Sequence, residues 1–218
     1  MLEWKPEYED ELLALMKRLY PAIIAPPTPG EDWRRLYAFY DGANQVVHVA
    51  SCFFVGFDVI LRLDPKVALP VAANQMTADW VRKVDRSVSG GFVLGTSATA
   101  LVGLLEDCLV SFVPLRAPAE LLEEKIAKKI TKGIKPTRDQ KPEEWIESLK
   151  RVFGIDPPAC VLGTLVSLIL FRNNFVHEPS GTQAMLAYPG QLGALAKCWS
   201  LAAQALVVLV YVRPTAAP

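Results

Sequence analysis

The sequence predicts an all-α helical bundle, and three observations carry that prediction. Apolar residues recur at the three- and four-residue spacing of a helix through most of the 218 residues. No segment of useful length alternates apolar with polar residues, and no hairpin dipeptide joins two such segments. Proline clusters such as Pro26-Pro27-Thr28-Pro29-Gly30 and Asp156-Pro157-Pro158 separate the periodic segments. No internal repeat and no low-complexity tract is present.

Pro6 suits the first turn of a helix carrying Leu12, Leu15, Met16 and Leu19. Pro21 and the proline run at 26–30 are expected to break it. Asp32 is placed to cap a second, long helix with Leu36, Phe39, Tyr40, Val46, Val47, Phe53, Phe54 and Val55 on it. Gly42 and Gly56 weaken that helix, and Asp64-Pro65 ends it. Residues 66–78 carry no clear pattern. A short helix is expected from Asp79 to Val88, then a break at Ser89-Gly90-Gly91. Ser97 is placed to cap a helix running to Val113 and stopped by Pro114.

Pro118 opens a helix with Leu122, Ile126 and Ile130, and a polar linker follows from Lys135 to Lys141. Pro142 opens an amphipathic helix with Trp145, Ile146, Leu149, Val152 and Phe153, and Gly154 fits its C′ position. Asp156 as N-cap, with proline at the first helical position, is expected to start the most apolar helix. Pro179 to Pro189 reads as a loop. Leu192, Leu195, Ala196, Trp199, Ala202, Ala203, Leu206 and Leu209 give the last helix one continuous apolar face.

Formal net charge is zero, so any nucleic-acid contact must come from a local patch. Cys52, Cys108, Cys160 and Cys198 are far apart, without the spacing of a zinc or CxxC redox site. They lie in apolar helical surroundings, which reads as a reducing, cytoplasmic compartment. The start carries Glu3, Glu7, Glu9, Asp10 and Glu11, the opposite of a basic signal-peptide start. Val46 to Leu63 and Trp199 to Val212 invite a transmembrane reading. The first is interrupted by His48, Ser51, Gly56 and Asp58, and the second is shorter than the roughly 20 residues a bilayer needs. Both are expected to be core helices, with no membrane partner.

The chemical interest gathers in Phe171-Arg172-Asn173-Asn174-Phe175-Val176-His177-Glu178-Pro179. Arg172 closes a nearly charge-free run of roughly a dozen residues, where a charge is costly unless paired or wet. Pro179 requires the helix to stop just after His177. Five residues along a helix amount to about 7.5 Å of rise and about 140° of rotation. One regular helix therefore does not aim Arg172 and His177 at one atom. Two copies about a two-fold axis would gather both pairs in one cleft.

Arg172-Asn173-x-x-x-His177 resembles the R-N-x-x-x-H signature of HEPN domains (higher eukaryotes and prokaryotes nucleotide-binding). The resemblance covers residues 97–212; residues 1–90 lie outside it and are expected to form a helical region packed on the rest. Members of the family are often metal-independent endoribonucleases that act as dimers, while others bind nucleotides or serve as interaction modules. The resemblance implies catalytic roles for Arg172 and His177, with Asn173 as the polar residue beside the arginine. It also implies no cofactor, RNA and a second copy as partners, and leaves room for an antitoxin or regulatory protein. A histidine titrating near neutrality can move a proton at an RNA 2′-OH or 5′-oxygen, and arginine can clamp the phosphate. The expected activity is toxin- or defence-type cleavage of RNA through a 2′,3′-cyclic phosphate.

Three further readings stand beside this one. Lys125, Lys128, Lys129 and Lys132 form one basic helix face, continued by Lys135, Arg138 and Lys141, that could track an RNA backbone. Glu120, Glu123 and Glu124 precede it, so helix pairs such as Glu124–Lys128 account for it as a solvated face. Arg172 could pair with an acid, Glu178 or one elsewhere, in a structural role. His48, on an apolar helix, is expected to be a hydrogen-bonded core histidine.

Overall fold

The computed structural model describes the backbone of residues 5–24, 30–62, 75–116, 142–177 and 192–212. Side chains are described for 5–24, 30–50, 93–115, 144–176 and 194–212. These residues form six helices: α1 (Tyr8–Ile24), α2 (Glu31–Arg62), α3 (Gln75–Arg116), α4 (Pro142–Phe153), α5 (Ala159–His177) and α6 (Leu192–Val212), with no strand among them. The protein is an all-α bundle.

The centre of the bundle is α6. Its Leu195, Cys198, Trp199, Ala202, Ala203, Leu206, Val207, Val208 and Val210 are all buried. It packs against α1, α2, α3 and α5. A helix apolar on nearly every side has to be enclosed, and the alanines at 202, 203 and 205 let its neighbours approach closely. Around it, Leu12 and Ile23 of α1, Leu36 and Phe39 of α2, Leu101 and Leu105 of α3, Trp145 of α4 and Leu165 of α5 belong to the same hydrophobic core.

Three sequence expectations are met residue by residue. The α4 stripe of Trp145, Ile146, Leu149, Val152 and Phe153 is buried throughout. Gly154 closes that helix at a φ of 55°, a left-handed conformation that glycine adopts without a Cβ clash. Helix α2 runs unbroken through Gly42, where the missing side chain admits Leu104 of α3; an added Cβ would stand 3.2 Å from its Cδ1.

Four boundaries differ. Helix α1 continues through Pro21 for most of a turn, because Ile23 is buried and its carbonyl accepts the Trp33 indole N–H at 2.8 Å. Helix α2 starts at Glu31, with the Gly30 carbonyl taking its first bond from the Arg34 N–H, so Asp32 lies inside the first turn. Helix α3 is a single helix through Gly90-Gly91, Ser97 and Pro114. Glycine weakens a helix by about 1 kcal/mol per residue but does not by itself end one. Helix α5 starts at Ala159, where the Pro158 carbonyl accepts from Val161 and Leu162, and not behind an Asp156 cap. Consecutive prolines bar the residues before them from the helical region, and Asp156 instead pairs with Lys150 at 2.7 Å. The helix expected from Pro118 and the loop from Pro179 lie outside the described residues.

Three segments, Val93–Leu115, Ala159–Val176 and Ala194–Val212, are long and apolar enough to cross a membrane by length and composition. The first two were not among the segments that the sequence reading singled out. Their outward positions include Thr96, Thr99, Asp107, Asn174 and Lys197.

Candidate functional site

The site is the end of α5 where it leaves the core. Cys160 through Ile169 are buried, Leu170 is exposed, and Phe171 turns back inward to pack on Trp199 with ring centroids 4.9 Å apart. The Trp199 indole in turn donates to Ser167 Oγ at 2.9 Å. The core thus grips α5 through Phe171, and the polar residues begin one position later.

The Arg172 guanidinium crosses to α3, where its Nη2 meets Glu106 Oε1 at 3.2 Å. Its Nη1 donates to Asn173 Oδ1 at 2.8 Å. The two charged side chains are only 20% and 17% exposed, which makes this a partly buried ion pair. Three residues further along α5, the Phe175 ring lies against Gly95 of α3, where any Cβ would overlap it. The two contacts run in opposite order along the helices, so α3 and α5 are antiparallel here. Helical side chains lean toward their own N-terminus, and that lean carries Arg172 back toward Glu106 and away from the helix end.

The helix stays regular through His177, its last residue. The arginine and histidine positions therefore keep their separation of about 7.5 Å and about 140°, and do not converge within one chain. The His177 side chain is outside the described residues, as are Lys125, Lys128, Lys129 and Lys132. Arg172 and Asn173 are brought together. Glu106 joins them, and sequence reasoning did not name it. A signal was present: Glu106 and Asp107 are the only charged residues between Arg86 and Arg116, and Arg172 is the only Asp, Glu, Lys or Arg between Asp156 and Glu178. Lone charges on two apolar helices have reason to find each other.

A second polar place lies on α2. His48 is exposed, contrary to the expected core histidine, because the buried side of α2 runs through Leu36, Phe39, Ala43 and Ala50. With Asn44, Gln45 and Val47 it lines an open cavity of about 490 Å³. Asn44 Oδ1 accepts from Gln204 of α6 at 2.8 Å, and Gln204 also donates to Ser200 Oγ at 3.1 Å.

Compared with known proteins, the chain matches no protein-family model, no curated protein sequence and no solved structure.

Proposed function

We propose that this protein is a metal-independent endoribonuclease of HEPN type, with toxin or defence character, acting as a dimer in the cytoplasm. The observation that supports it best is the fixed guanidinium of Arg172 at the rim of the core, with Asn173 beside it, on an unbroken helix that ends at His177. The Glu106 and Asn173 contacts use two of the five N–H donors of a guanidinium. The remaining donors can meet a phosphate without the side chain losing its orientation. In this reading Arg172 binds the phosphodiester and stabilises its added charge, and His177 moves the proton at the 2′-OH or the leaving 5′-oxygen. Because the two residues diverge on one regular helix, the reading requires the histidine of a second copy, or a composite cleft at the two-fold axis. Exposed Leu170 and Val176 flank the polar tip and would be covered in such a dimer. The HEPN-like part would span residues 97–212, with the basic face at Lys125, Lys128, Lys129 and Lys132 as an RNA track. An antitoxin or regulator would hold the activity in check. Polar and charged residues on the outward side of the apolar helices favour water over lipid around them.

One observation favours a second reading, a non-catalytic nucleotide-binding or interaction module: Glu106 already neutralises the charge on which a phosphate would draw. The test that separates the two uses a panel of structured and single-stranded RNAs, incubated in EDTA with wild type and with His177→Ala. The ribonuclease reading expects wild type alone to cleave, leaving 2′,3′-cyclic phosphate and 5′-hydroxyl ends. Equal cleavage by both proteins, or none by partner-free wild type, sinks it.

A further inference from the structure

Arg172 is held by a carboxylate that stands where a phosphate would compete. We infer that Glu106 is a built-in competitor for the RNA phosphate at Arg172, keeping the anion affinity of the site low until the ion pair is opened or shared. The inference rests on the reading of Arg172 as a phosphate-binding residue.

Three features carry it. The pair closes at 3.2 Å with both side chains about four-fifths covered, so solvent screens it less than a surface pair. Phe175 seated on Gly95, about three turns from Glu106 along α3, is a second tie between α5 and α3, so parting the helices would also have to unseat that ring. Rotation of the Glu106 side chain opens the pair without breaking that contact. Finally, a phosphate placed on the remaining Arg172 donors would lie within several ångströms of a fixed negative charge. At an intermediate effective dielectric that repulsion suppresses anion binding on the order of tenfold. Asn173 contributes no such penalty: its amide is neutral, and its Oδ1 accepts from Nη1 at 2.8 Å.

The experiment uses the full chain and a labelled 2′-O-methyl RNA dodecamer, which carries phosphodiesters but has no free 2′-OH to attack. Binding is read by fluorescence anisotropy at several salt concentrations. Glu106→Gln keeps the shape and a hydrogen-bond acceptor while removing the charge, and should bind the probe on the order of tenfold more tightly. Glu106→Asp keeps the charge and should stay close to wild type. The gain should vanish in Glu106→Gln combined with Arg172→Gln. Unchanged or weaker binding by a natively helical Glu106→Gln overturns the inference, as does a gain that survives the loss of Arg172. Should Glu106→Gln not fold, guanidinium nitrogen spectra of wild type carry the test. The Arg172 Nε resonance should move as probe is added, and a resonance unmoved at saturation overturns the inference. Cleavage of ordinary RNA is followed in parallel. Tighter binding without cleavage by any variant supports the competitor and removes the ribonuclease reading. Cleavage that depends on Arg172 and His177, with unchanged binding in Glu106→Gln, does the reverse.

Discussion

Two polar seams interrupt the apolar packing, and they are built from different materials. Between α2 and α6, Gln204 donates to Asn44 and to Ser200, and the Ser200 hydroxyl donates to the Ala43 carbonyl at 3.3 Å. This seam is neutral, and Gln204 and Ser200 are each only 3% exposed. Between α3 and α5, Glu106, Arg172 and Asn173 form a charged seam that solvent still reaches. Neutral amides and hydroxyls can be satisfied in full inside a core, where they fix how two helices register. Ions carry a desolvation cost that direct contact only partly offsets, which favours a place at the rim for the ion pair. Trp199 connects the seams: it precedes Ser200 in sequence and packs on Phe171, the residue before Arg172.

The largest effect expected at the charged seam is on rate. On the proposed ribonuclease reading, His177→Ala should lower RNA cleavage by about 10²–10⁴ while circular dichroism stays native, because the residue ends its helix. Arg172→Lys should recover only part of the activity lost in Arg172→Ala, since an ammonium lacks the planar fork. Full activity in Arg172→Lys would show that only charge matters there, and the contrast with the geometrically fixed neutral seam would fall.

Next is the tryptophan between the seams. Trp199→Ala should destabilise the fold by about 3–5 kcal/mol, through the lost ring contact with Phe171, the cavity left behind and the lost indole bond to Ser167, whose hydroxyl keeps its own bond to the Thr164 carbonyl. Urea unfolding measures this. A loss below about 1 kcal/mol would mean that the seams are independent.

The third comparison sets the seams against each other. Gln204→Ala should cost about 1–3 kcal/mol by leaving a buried polar cluster incomplete. Glu106→Ala should cost about 1–2 kcal/mol, between the values for exposed and buried pairs, since water can reach the freed guanidinium. Denaturant midpoints for both variants decide it, and a much larger loss for Glu106→Ala would show that the rim behaves as interior.

The smallest effect involves Cys108 on α3. Burial pushes its thiol from the ordinary 9.0 up to about 12, and nearby Arg35 only partly opposes this. Below pH 9 the thiol is protonated in both folded and unfolded chains and contributes no slope. Above it the unfolded chain releases the proton and the folded one does not, so stability falls as pH rises toward 12. Between about pH 9 and about pH 10 the contribution is about 1 kcal/mol. Cys108→Ala should show a correspondingly shallower alkaline decline in urea midpoint than wild type. Parallel declines would show that Cys108 titrates as freely as an exposed thiol.

The helices were legible wherever the signal is local. The spacing of Trp145, Ile146, Leu149, Val152 and Phe153 requires a one-sided helix, and Gly154 supplies its end. The stop at His177 follows from Pro179 two residues later. Boundaries went astray where packing overrode a local preference, as at Pro21, where glycine weakens a helix without ending it, as at Gly90-Gly91, or where two local rules competed, as at Asp156-Pro157-Pro158.

The site divides in the same way. Sequence alone determined that Arg172 and His177 diverge on their helix, because rise and rotation per residue are properties of the backbone. It also determined that Arg172 needs a partner, because a lone cation closes an apolar run. Only the tertiary structure decided which partner. Glu106 and Asp107 are adjacent on α3 and equally charged. The crossing of α3 and α5, set by Phe175 against Gly95 and by the shared core, turns Glu106 toward Arg172 and leaves Asp107 in solvent. That choice depends on the relative rotation of two helices that bring together residues 66 apart in sequence, and residue spacing within either helix does not encode it.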